Sequence, residues 1–109
     1  MPLVRLDARR IRDWDTFHTV FAEVFGFPSF SGRNMNAWID CMTDLDDPGT
    51  GMTAVHGTVS DPVVLCLDHA GALPAELREA ISECAAFVNW RRIELGNPAI
   101  LALAFCKDA

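Results

Sequence analysis

The sequence predicts an α/β fold: a small three-stranded parallel sheet with flanking helices, in the order β-α-α-β-α-β. Three observations carry this. "PVVLCLD" and "PAILALAFC" are short, near-continuous apolar runs, the pattern of strands covered on both faces. The stretches between the strands space their apolar residues at helical intervals. One loop-like shift in composition, Asp44 to Pro62, breaks an otherwise regular chain.

The elements follow in turn. "PLVRLD" alternates weakly and suits a first strand. Trp14, Phe17, Phe21, Val24 and Phe25 then recur at i, i+3, i+7, i+10 and i+11, with Asp13 placed as an N-cap and Gly26 just past the end, which describes an amphipathic helix. A second helix is expected from about Asn34 to Asp44. A third should run from Pro74, a good first-turn residue, towards Leu95 before Gly96, with an apolar stripe of Leu77, Ile81, Cys84, Ala85 and Val88. Alternation of strands and helices implies right-handed crossovers. An all-helical reading fails because both apolar runs are too short and too continuous.

A chain of 109 residues with half its residues hydrophobic fits one globular domain, residues 1–109. A net charge of -6 argues against a nucleic-acid surface, which needs clustered Lys and Arg, and favours basic protein partners. No apolar run approaches the roughly 20 residues that span a bilayer, and "MPLVRLDARR" breaks into charge too early for a signal peptide, so the expectation is a cytoplasmic protein. Cys41, Cys66, Cys84 and Cys106 form no C-x-x-C pair and read as buried, reduced core thiols, with no metal site.

On a helical wheel the second helix separates cleanly. Trp38, Met42, Met35, Leu45 and Cys41 share one arc with Ile39 at its margin, as a packed face should, while Asn36, Asp40, Arg33 and Asp44 lie opposite. The polar side runs against the helix dipole: Arg33 precedes the positive end and Asp44 sits at the negative end. Choices that oppose local stability tend to mark function.

The segment "FPSFSGRNMNAWIDCMTDL" resembles the opening of the second helix of the barstar family of ribonuclease inhibitors. The matching elements are an aromatic before a small loop, then Gly32, Asn34, Ala37 and the Asp40-Cys41 pair; "IRDWDTFHTVFAEVFGFP" is similar to the family's first helix and turn. The resemblance implies a three-stranded parallel sheet with flanking helices. It also implies that the second helix and its preceding loop plug the active site of a basic RNase or RNase toxin, a carboxylate standing where substrate phosphate would be. Carried over by position, Asp40 matches the family's principal inhibitory aspartate, and Gly32 and Asn34 match the loop before it. The departures are Asn36 at a family aspartate, Phe30 at a tyrosine, Ile39 and Leu45 at tryptophans, and Asn89 at an acidic contact near the end of the third helix. The implied partner-binding set is therefore Asp40, Asn36, Phe30, Gly32, Arg33, Asn34 and Asp44. Asp46, Asp47 and Asn89 are secondary contacts, Asp46 and Asp47 lying at the start of an inserted loop that runs from Asp46 to Ser60.

The resulting expectation is an inhibitor or immunity protein, monomeric when free, with no enzymatic activity and no cofactor. The alternative is a module on the same scaffold that engages another basic protein. The best enzymatic candidate is Asp68-His69 at the end of a strand, where ligands of parallel sheets gather. No nucleophile motif, phosphate loop or metal spacing accompanies it, and Asp, His and Gly after a strand are ordinary turn chemistry. "GTG" at Gly49 to Gly51 lacks the strand and helix of a phosphate loop. His18 borders the first helix's apolar stripe and reads as a core histidine. Trp90 falls on the wheel with Glu76, Glu79 and Glu83, away from the buried stripe of its helix.

Overall fold

Chain order is also spatial order. In the computed structural model, which describes residues 2–28, 32–58 and 60–106, strands β1 (Leu3–Asp7), β2 (Val63–Asp68) and β3 (Leu101–Phe105) lie side by side and parallel in the order β1-β2-β3. Helices α1 (Trp14–Phe25) and α2 (Met35–Thr43) connect β1 to β2, and α3 (Ala75–Glu94) connects β2 to β3. The predicted element order is the observed one.

The register pairs Val4 with Leu65 and Leu65 with Leu103. Because side chains alternate along a strand, Val4, Leu6, Val63, Leu65, Leu67, Leu101 and Leu103 share one face, and Arg5, Val64, Cys66, Asp68, Ala102 and Ala104 share the other. The first set joins one core cluster with Phe17, Phe21 and Phe25 of α1, Trp38 and Met42 of α2, and Leu77, Ile81 and Val88 of α3. All three helices therefore cover a single face. On the other, Leu3, Arg5 and Ala102 are exposed. The expectation of strands covered on both faces is thus corrected. Successive right-handed crossovers that step the same way across a sheet place every helix on one side; covering both sides requires the strand order to reverse.

Local chemistry sets the helix ends. Asp13 accepts the Thr16 N–H at 2.9 Å while the Thr16 hydroxyl oxygen accepts the Asp13 N–H at 3.1 Å, a reciprocal cap. Gly26 ends α1 in the left-handed region (φ 72°) with its N–H bonded to the Ala22 carbonyl. Phe17, Phe21 and Phe25 are fully buried, each side chain worth about 1.5–3 kcal/mol of burial. Trp14, placed by periodicity on the same stripe, lies at its edge, 36% exposed, with its indole N–H directed at Glu76.

The segment after α2 returns over the helix ends. The Ala54 N–H bonds to the Phe25 carbonyl at 2.8 Å and the Gly57 N–H to the Leu45 carbonyl at 2.9 Å. At Gly26 an added Cβ would sit 2.6 Å from the Ala54 Cβ, whereas at Gly96 (φ 83°) it would meet nothing within 4 Å. Both Gly26→Ala and Gly96→Ala should incur the left-handed penalty of about 1 kcal/mol. Gly26→Ala should lose measurably more in urea denaturation, because Ala54 must also move; equal losses would show that the loop gives way freely.

Candidate functional site

Helix α2 is short, nine residues, and its two faces do different work. Trp38, Cys41 and Met42 are buried, Leu45 just beyond the helix is buried too, and Met35 and Ile39 pack partly against the core. Trp38 lies edge-on to Phe21, with ring centroids 5.7 Å apart. Its opposite face carries Asn36, Asp40 and Asp44 at i, i+4 and i+8, a row along one side. Asn36 and Asp40 are exposed and Asp44 is half-buried.

The helix start is fixed by two of the predicted residues. The Asn34 side chain accepts the Ala37 N–H at 2.8 Å, an N-cap, and Gly32 lies close enough that an added Cβ would come within 3.0 Å of the Asn34 amide nitrogen. Arg33 does not face the helix dipole. Its guanidinium reaches back to α1, donating to the Asp15 carbonyl and carboxylate, each at 2.8 Å, and to the Thr19 hydroxyl at 3.0 Å. A cavity of about 190 Å³ lies between α1 and this segment, lined in part by His18, Phe27, Gly32, Asn34 and Trp38. His18 stacks on Trp14 and lies edge-on to Phe17. Burial, and secondly the Arg33 charge, hold its pKa below the usual imidazole value. Phe30 lies outside the described residues.

Two arginines of α3, neither singled out by the sequence, organise the acidic face. Arg91 donates to the Asp40 carboxylate at 3.1 Å across an exposed surface. Arg92 is 3% exposed and donates to both Asp46 oxygens at 2.8 Å, to the Thr43 carbonyl at 2.9 Å and to the Pro98 carbonyl at 2.8 Å. A signal for Arg92 was present: it continues the series Ile81, Ala85, Val88 at helical spacing, so the buried stripe of α3 ends in a cation. No equivalent pattern points to Arg91.

These contacts redistribute the predicted secondary set. Asp46 neutralises Arg92, and that pairing holds its carboxyl below the usual range. Asp47 accepts the Gly49 N–H and caps the short turn at Pro48–Thr50. Asn89 turns towards the sheet: its amide donates to the Leu101 carbonyl at 2.7 Å and accepts the Ile100 and Leu101 N–H groups at 3.0 and 3.2 Å. Its polar atoms secure the start of β3. Asp44 is the carboxylate under pressure, its pKa raised first by partial burial and then by Asp47. Beyond Arg91 on α3, Trp90 is 56% exposed and packs on Phe87, with ring centroids 5.7 Å apart.

Asp68-His69 forms no free dyad. Both Asp68 oxygens accept from Arg5, at 2.7 and 3.0 Å, and the His69 carbonyl accepts the Ala72 N–H in a turn. A sheet ordered β1-β2-β3 also lacks the reversal that opens a ligand crevice.

The family model described as barstar (barnase inhibitor) matches residues 1–94. The chain belongs to the barstar family. No curated protein matches it. The match spans every element from β1 through α3, and among the described residues no helix is long and apolar enough to cross a membrane.

Opposite effects are expected from neighbouring carboxylates. Asp46→Asn should destabilise the fold by about 2 kcal/mol, because it leaves the buried Arg92 under-compensated. A lowered folded pKa means that Asp46's contribution is present above the ordinary carboxylate range and is lost as pH falls through the folded value. Asp44→Asn should stabilise by under about 1 kcal/mol at neutral pH, since it removes an anion from a helix C-terminus. A raised folded pKa makes ionised Asp44 a cost above its unfolded value, relieved as pH falls, so this gain should shrink on acidification. Urea titrations at several pH values check both signs.

Proposed function

We propose that this barstar-family chain is a ribonuclease inhibitor or immunity protein that occludes the active site of a basic RNase or RNase toxin, using α2 and the segment before it. The observation that supports the reading most directly is the row Asn36, Asp40, Asp44, presented outward from a helix whose inner face is locked into the core. An RNase stabilises phosphate charge with Arg, Lys and His; a carboxylate held in a fixed position satisfies those groups without offering a bond to cleave. The role needs neither a catalytic group nor a cofactor in this chain.

Asp40 is the principal anchor. Its carboxylate already accepts from Arg91, which keeps it oriented, and an ionised carboxylate has acceptor capacity left for an incoming cation. Asn36 contributes a neutral hydrogen-bonding group and Asp44 a second carboxylate. Ionisation of Asp44 is penalised in the free protein, and a cationic partner would relieve that penalty. Arg33, Asn34 and Gly32 shape and cap the approach to the helix. Cytoplasmic residence and a monomeric free state complete the reading.

The test is capture of partners on the immobilised chain, followed by RNase assays with wild type and variants. Binding should weaken with salt. Asp40→Ala should cost about 2–4 kcal/mol of binding while shifting stability by no more than about 1 kcal/mol, because an exposed ion pair contributes little to folding. Equal inhibition by wild type, Asp40→Ala and Asp40→Arg would remove α2 as the inhibitory face. Capture of a basic protein without nuclease activity would favour the binding-module alternative.

A further inference from the structure

The sheet face opposite the helices brings together two cysteines that are far apart in the chain. Cys66, on the central strand, and Cys106, just past β3, place their sulfur atoms 2.8 Å apart. Register explains the meeting: Cys66 pairs with Ala104, and Cys106 follows two residues later on the same face, its N–H bonded to the Leu67 carbonyl at 3.0 Å. Both ends are therefore held by the sheet ladder. Cys41 is buried and Cys84 half-buried in the helical layer, away from this pair.

We propose that Cys66 and Cys106 form a reversible dithiol–disulfide site that staples the end of β3 to β2 under oxidising conditions. The two sulfurs are within about 1 Å of the disulfide bond length of about 2.05 Å, so closure asks for a small side-chain movement. Asp68 completes a cluster of three potential metal ligands within 4.8 Å. Its carboxylate, however, is engaged twice by the Arg5 guanidinium, which also opposes an incoming cation. What remains is two thiols in contact, and the chemistry of two adjacent thiols is oxidation to a disulfide.

Exposure divides the roles. Cys66 is 5% exposed, and its contact with Cys106 pushes its thiol up to about 11, so it stays protonated at neutral pH. Cys106 is half-exposed and is the sulfur that meets the oxidant. With a peroxide as oxidant, the Cys106 sulfur attacks the O–O bond, forming a sulfenic acid, and the thiol proton of Cys106 leaves with the displaced oxygen as water. The Cys66 sulfur then displaces hydroxide from the sulfenic sulfur, and the Cys66 proton leaves with it as a second water. Two electrons pass from the thiols to one peroxide. In a reducing compartment the pair rests as thiols. The staple lies on the face opposite the helices, so its closure leaves α2 uncovered.

The experiment treats the reduced full chain with hydrogen peroxide, counts thiols and maps peptides without reduction. The expected result is a fall from four thiols to two, a mass loss of about 2 Da, a Cys66–Cys106 peptide link, a rise in melting temperature, and reversal of all of these by dithiothreitol. A Cys41→Ser, Cys84→Ser double variant should fall from two thiols to none, with the same mass loss, peptide link and reversal. Cys66→Ser should leave Cys106 to be over-oxidised, because nothing resolves its sulfenic acid. Retention of four thiols, a link through Cys41 or Cys84, or a co-purifying zinc ion that blocks oxidation would each overturn the proposal.

Discussion

The Arg92 guanidinium holds the architecture around the acidic face in place. A buried cation is tolerated only when its charge is matched and its donors are satisfied, and Arg92 meets that condition through Asp46 and two backbone carbonyls, Thr43 at the end of α2 and Pro98 before β3. Two segments of the chain, the end of α2 through Asp46 and the approach to β3, therefore converge on one group of α3. Because an unmatched buried charge is so unfavourable, neither can drift without the other. The Thr43 carbonyl also belongs to the last turn of α2, so the cation sits where the helix dipole is negative.

That constraint explains why the outer face of α2 can carry carboxylates with so few partners. Among the described residues Asp40 has one exposed arginine contact, and Asp44 has a raised pKa, both unfavourable or neutral for folding alone. The stability of α2 comes from elsewhere: the Asn34 cap, the buried Trp38, Cys41 and Met42, and the Arg92 contact beneath Thr43. Arg33 performs the matching task at the other end, tying the pre-helix segment to α1 through Asp15 and Thr19. A helix held at both ends presents its outer side chains in a fixed arrangement, as recognition of a charged partner requires.

Strand order has a second consequence. With β1, β2 and β3 side by side in sequence and all three helices on one side, the reverse face carries small and polar groups, and among the described residues no helix lies over them. This openness allows Arg5 to pair with Asp68 across the first two strands and Cys66 to meet Cys106 across the last two. The two chemistries of the molecule, charge on α2 and sulfur on the sheet, therefore occupy opposite surfaces.

The sequence by itself determined the element order, the caps at Asp13 and Gly26, the inner face of α2 and the exposure of Asn36 and Asp40. These follow from period, propensity and cap chemistry, which act over a few residues and are written locally. Only the tertiary structure decided which charges meet. Asp40 with Arg91, Asp46 with Arg92 and Cys66 with Cys106 are separated by 51, 46 and 40 positions, distances at which spacing in the chain carries no geometric information. Asn89 and Asp46, legible as polar and near the site, turned inward because a backbone edge and a buried cation needed partners. The one-sided cover of the sheet was likewise beyond local pattern, since the apolar runs of β2 and β3 look the same whether a second layer is present or not. Handedness and strand order, properties of the whole topology, settled it.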